Sequence, residues 1–195
     1  MNKEKLKVKD LVTIGVYAVL YFVVYMATGM VGAVNPFMNL VAPFLCGIIG
    51  GILVMLFMAK VPKPKALFIF SAITPIITIF TIGVWQALVN GIIVSALAQY
   101  FTSKGNYKSV KMNIIATGFV TLTSCGHFLF MLFFKKQYIE MTKATMGIEY
   151  AQIYERLMTT PNIILAYAGA FIGGVIGAYI GAKLLKNQFE KAGIV

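Results

Sequence analysis

The chain has 195 residues, 59% of them hydrophobic and 12% charged, with a mean hydropathy of +0.85. A soluble domain carries about 25% charged and about 45–50% apolar residues, so a water-soluble globule is excluded: a soluble core could not hide this much apolar surface, whereas lipid does. The net charge of +11 reads as lysine held in cytoplasmic loops rather than as a nucleic-acid footprint, and the length allows a single transmembrane domain over residues 1–195 with no separate soluble one.

A spanning helix needs about 20 predominantly apolar residues. The first such run, residues 11–31, follows Lys3, Lys5, Lys7 and Lys9. It exceeds the roughly 7–15 residues of a signal-peptide core and no cleavage motif follows, so it reads as a retained helix. The second run, 42–59, is closed by Lys60-Val61-Pro62-Lys63-Pro64-Lys65, a turn in water. Residues 66–101 form a stretch of 36 without a charge, nearly twice one span. It divides at Gly83-Val84-Trp85-Gln86 into spans 66–83 and 85–101, because Gly permits a tight turn and Trp favours the interface. A basic loop with Lys104, Lys108 and Lys111 leads to the fifth span, 112–134, and the sixth, 162–185, is followed by Lys186 and Lys191. Cys46 and Cys125 both fall inside apolar runs and read as buried thiols.

Six spans put Lys3, Lys5, Lys7, Lys9, Lys60, Lys63, Lys65, Lys104, Lys108, Lys111, Lys183, Lys186 and Lys191 on one side, thirteen of the seventeen basic residues. Only Lys135, Lys136, Lys143 and Arg156 fall on the other, diluted by Glu140, Glu149 and Glu155. An odd number of spans destroys this alternation. The positive-inside rule therefore predicts an all-α integral membrane protein with six transmembrane helices and both termini cytoplasmic. Between the last two spans, the outer segment 136–160 shows an apolar stripe at Tyr150, Ile153, Tyr154, Leu157 and Met158, with Glu149, Gln152, Glu155 and Arg156 opposite. It is either a helix resting on the outer leaflet or a lid over an outward-facing pocket, hinged at Gly147.

No catalytic constellation is present: one histidine, no Cys-x-x-Cys, no nucleotide-binding Gly-rich loop, no paired carboxylates, and every acid outside the spans. No enzymatic activity, cofactor or metal is expected. A membrane-buried ionisable group marks most ion-coupled carriers, and ATP hydrolysis needs a nucleotide motif. The chain thus passes solutes passively or borrows energy from another subunit. The polar residues are neutral and gather toward the outer side: Asn35 and Asn39 in the first outer loop, Trp85, Gln86 and Asn90 at the start of the fourth span, Ser124 and His127 in the fifth, Asn162 and Tyr167 in the sixth. Taken together they predict a small polar site for a compact, mostly neutral or aromatic ligand; taken singly, each amide satisfies neighbouring backbone. His127 is expected as the neutral imidazole, orienting a ligand, bridging two helices, or ligating a metal or haem iron. Gly169, Gly173, Gly177 and Gly181 form an i+4 row, with Ala166, Ala170, Gly174, Ala178 and Ala182 beside it, a close-packing surface for this chain or for a partner. Gly15 and Ala18 make a smaller patch on the first helix.

The opening Lys-x-Lys-Val-Lys-Asp-Leu-Val-Thr-Ile-Gly-Val-Tyr-Ala-Val-Leu-Tyr-Phe-Val, ending at Val23, resembles the start of substrate-binding S components of energy-coupling factor (ECF) transporters, more narrowly the Trep_Strep (MptD-type) group. Size, six spans and cytoplasmic ends match over essentially the whole chain. The resemblance implies a bacterial cell-membrane subunit that captures a vitamin or similar small micronutrient at the outer face. It further implies docking on a transmembrane coupling subunit bound to two cytoplasmic ATPases, and toppling in the membrane to release the solute inward. Family docking centres on small residues of the first helix in an A-x-x-x-A pattern, for which Gly15 and Ala18 are the nearest equivalents. Family ligands sit under the outer loops, near the outer ends of the later helices. A self-contained secondary transporter or channel for a small neutral solute is the competing expectation.

Overall fold

The computed structural model describes residues 5–184 and 186; Lys3, Lys191 and Leu185, the last residue of the sixth predicted span, lie outside the described residues. The regular structure among the described residues is helical: α1 (Val8–Val34), α2 (Pro36–Lys60), α3 (Ala66–Ile82), α4 (Gln86–Lys104), α5 (Val110–Thr121), a 3-10 turn (Leu122–Cys125), α6 (Gly126–Phe133), α7 (Lys135–Met146), α8 (Ile148–Leu157) and α9 (Thr160–Leu184). Four stretches are long and apolar enough to cross a membrane: α1, α2, α9 and the continuous run Val110–Phe133. Helix α3 is shorter, and α4 is interrupted by Gln86, Asn90, Ser95 and Gln99.

Local chemistry sets the boundaries. The expected first loop shrinks to one residue, because Asn35 caps α2 by accepting from the Phe37 N–H at 2.8 Å while Pro36 occupies the first helical position. Asn39 is therefore a helical residue and not a loop residue. Gly83, at φ 76, ends α3 in the left-handed conformation open to glycine. The expected outer segment is two helices, since Gly147 at φ 89 and ψ 164 breaks it. Its buried face is Tyr154 and Met158 with Ala151, whereas Ile153 is exposed, so the stripe read from periodicity is rotated.

Helix α2 is central, packing on α1, α5 and α9; α4 lies between α3 and α5, and α3 closes the ring on α1. The α2–α9 contact explains the glycine row. A Cβ on Gly173 would collide with the Phe44 carbonyl oxygen and one on Gly177 with that of Ile48, and on the facing helix a Cβ on Gly47 would stand 2.7 Å from the Ala170 carbonyl oxygen. Two backbones in direct contact maximise dispersion where the hydrophobic effect offers helices no drive to associate. The neighbouring row faces α5: Gly174 abuts Thr121, whose hydroxyl donates to the Ala170 carbonyl at 2.8 Å. On α1, Ala18 is fully buried in the core, and a Cβ on Gly15 would meet nothing within 4 Å. Of that pair only Gly15 is open to the surroundings.

The two ends of the bundle differ. At the lysine-rich end, Tyr21, Phe57 and Phe70 fill the interior, with Phe57 and Phe70 stacked at 4.5 Å. Asp10 at the start of α1 bridges to Lys63 after α2 at 2.9 Å. At the other end, α7 and α8 cap the bundle through a second cluster of Phe128, Met131, Tyr138, Ile139 and Tyr154. Between the two clusters the interior is hollow.

Candidate ligand-binding site

The hollow is a cavity of about 290 Å³ bounded by the capped half of α1, the start of α2, the 3-10 turn with α6, and α7. Asn39, Ser124 and His127 line it, together with Tyr25, Thr28 and Tyr138. None of its lining residues is charged. Around these polar groups stand Met26, Met30, Pro43 and Cys46, an apolar frame with a few convergent polar atoms, the usual composition of a small-molecule pocket.

Each polar group has an identifiable support. His127 Nε2 and Asn39 Oδ1 are 3.0 Å apart, tying α6 to α2 across the cavity. Asn39 packs over Gly32, where a Cβ would stand 3.0 Å from the amide nitrogen, so α1 needs glycine there. Ser124 donates to the Thr121 carbonyl at 2.7 Å and Thr28 to the Val24 carbonyl at 2.9 Å. Pro43 has no N–H, so the helical bond to the Asn39 carbonyl is missing beside the cavity.

The remaining predicted site residues form a frame rather than a lining. Asn90 donates to the Leu122 carbonyl at 2.9 Å and accepts from the Tyr167 hydroxyl at 3.0 Å, and that hydroxyl also reaches the Cys125 carbonyl at 3.2 Å. The 3-10 turn interrupts helical bonding, and this network satisfies the carbonyls it exposes. Asn162 donates to the Leu157 carbonyl at 2.7 Å, joining α8 to α9. Asn35 serves as a helix cap. Trp85 is exposed and meets Phe134 edge-on at 6.0 Å, and the buried Gln86 has a side-chain oxygen without a hydrogen-bond partner.

The cap is fastened by tyrosines. Tyr150 of α8 donates to the Gly32 carbonyl of α1 at 2.8 Å. Tyr154 donates to Tyr138 at 3.3 Å, and their rings stack at 5.6 Å. Burial raises the pKa of both phenols, Tyr154 well above the usual value, so both remain protonated donors at physiological pH. Tyr25, Thr28, Gly32, Pro43, Tyr138 and Tyr150 are absent from the sequence-based site. Pro43, four residues after Asn39, was the one local signal available for them.

A family model described as a hypothetical bacterial integral membrane protein (Trep_Strep) matches residues 8–191. The chain belongs to the Trep_Strep family. It is thereby an integral membrane protein, in keeping with its four long apolar helices. No curated protein and no solved structure matches it. In this Trep_Strep protein, Cys46 and Cys125 are free, buried thiols, and no group of three or more His, Cys, Asp or Glu with metal-binding geometry occurs among the described residues.

Proposed function

We propose that this Trep_Strep protein is the solute-capturing membrane subunit, the S component, of an ECF-type importer for a vitamin or similar micronutrient. The observation that carries the reading is the cavity itself: a built, uncharged site at one end of the bundle, above a solidly packed half that offers no continuous path. Such a chain binds without conducting. It has no nucleotide-binding motif of its own, so transport would draw on a coupling subunit and two ATPases. In this reading α3 and α4 also span, giving six helices. The lysine-rich end with both termini faces the cytoplasm, in line with the alternation of lysines. Helices α7 and α8 then close the cavity on the outside. The open surface around Gly15 on α1 is the place to look for the coupling subunit. The chain is not an enzyme in this reading, because no acid–base or nucleophilic pair faces the cavity.

The test is transport with and without partners. Metabolites retained by the purified chain are identified by mass spectrometry and offered to proteoliposomes. Uptake that requires ATP, the coupling subunit and both ATPases supports the reading. Sustained uptake by the isolated chain overturns it in favour of a self-contained carrier or channel.

A further inference from the structure

The cavity's hydrogen-bonding polarity is more specific than its apolar frame suggests. The Ser124 and Thr28 hydroxyls each have one proton, and each gives it to a helix carbonyl. This back-bonding leaves only oxygen lone pairs for a ligand. The Asn39 carbonyl, deprived of its helical donor by Pro43, adds a further acceptor. Asn39 Oδ1, held by His127, keeps accepting capacity as well. The polar lining is therefore biased toward acceptors, and a ligand that satisfies it brings donors.

Charge narrows the class. A buried ion without a partner is strongly disfavoured, and neither a carboxylate nor a lysine or arginine lines the cavity. A donor-rich ammonium or amidinium would meet no counter-ion in a chain of net charge +11. A volume of about 290 Å³ equals roughly ten waters at ~30 Å³ each, so a bonded ligand of on the order of ten to fifteen non-hydrogen atoms fills it. Tyr25, Tyr138 and two thioethers offer flat or polarisable surface to a ring.

We propose that this cavity selects an uncharged, planar heterocycle that presents N–H donors, of the lactam or aminated-ring class. The proposal rests on the capture reading for its physiological meaning but concerns binding alone. Its test uses the full chain in nanodiscs and four size-matched probes: quinazolinone, neutral with a lactam N–H; N-methylquinazolinone, the same ring without the donor; quinaldate, an anion; and benzamidinium, a cation. Quinazolinone is expected to bind saturably and at least about tenfold more tightly than each of the others, the equivalent of one hydrogen bond or one uncompensated charge. Ser124→Ala and Thr28→Val are expected to erase the preference over N-methylquinazolinone while leaving thermal stability and N-methylquinazolinone affinity in place, which a merely structural role would not do. Tighter binding of either ion, equal binding of the methylated ring, an unchanged preference in both variants, or no binding of quinazolinone overturns the proposal. The two readings fail separately. Ion binding with ATP-dependent uptake sinks the ligand class and spares the importer, whereas donor-selective binding with partner-free uptake does the reverse.

Discussion

Gly177 offers the sharpest test of the α2–α9 packing, because the same row contains its own control. An added methyl at Gly177 would overlap the Ile48 carbonyl oxygen, and it would also lie 2.8 Å from the Ile48 carbonyl carbon and 2.9 Å from the Gly47 oxygen. These are backbone atoms of a packed helix and cannot rotate away. At Gly169, two turns earlier, the nearest neighbour is the Phe44 Cβ at 3.7 Å, an ordinary contact. Overpacking costs about 1–3 kcal/mol, against a gain of about 1 kcal/mol for replacing a helical glycine by alanine. Gly169→Ala is thus expected to be neutral or mildly stabilising, and Gly177→Ala destabilising by up to about 2 kcal/mol net. Thermal unfolding in nanodiscs reads the difference, at roughly 2–4 °C per kcal/mol for a chain of this size. If both variants shift the midpoint equally, or Gly177→Ala raises it, the helices are not in backbone contact.

Other expectations follow from single contacts. Asn90→Ala leaves the Leu122 carbonyl and the Tyr167 hydroxyl without their partner and should cost about 1–3 kcal/mol of stability, whereas His127→Ala should weaken quinazolinone binding about tenfold with little change in unfolding midpoint. Tyr150→Phe removes the bond to the Gly32 carbonyl but keeps the ring on Tyr154; faster amide exchange in α8, by about 1 kcal/mol of opening free energy, is expected by mass spectrometry. Because burial raises the Tyr138 and Tyr154 pKa values, folding favours the protonated phenols. The cap is therefore stable below about pH 10 and loosens as pH rises beyond the unfolded phenol value; α8 exchange that fails to accelerate there, or accelerates equally in the double Phe variant, contradicts this. A membrane-impermeant maleimide should label Lys136→Cys but not Lys108→Cys in intact cells, and the reverse pattern inverts the proposed orientation.

Composition and spacing alone were enough to identify a helical membrane chain, its breaks at Lys60–Lys65 and Gly83, and the neutrality of its polar residues. Those are properties of short windows, set by the cost of exposing peptide groups to lipid and by the backbone freedom of glycine. Which polar residues share a space is not such a property. Asn39 and His127 are 88 positions apart and 3.0 Å from each other, while Asn90 and Tyr167, equally polar in sequence, turn to the carbonyls of a 3-10 turn that hydropathy does not detect. The glycine row shows the same division. Its spacing announced a close contact, but only the packed structure decided that the partner is α2 of the same chain, because a backbone-to-backbone fit depends on the shape of both surfaces at once.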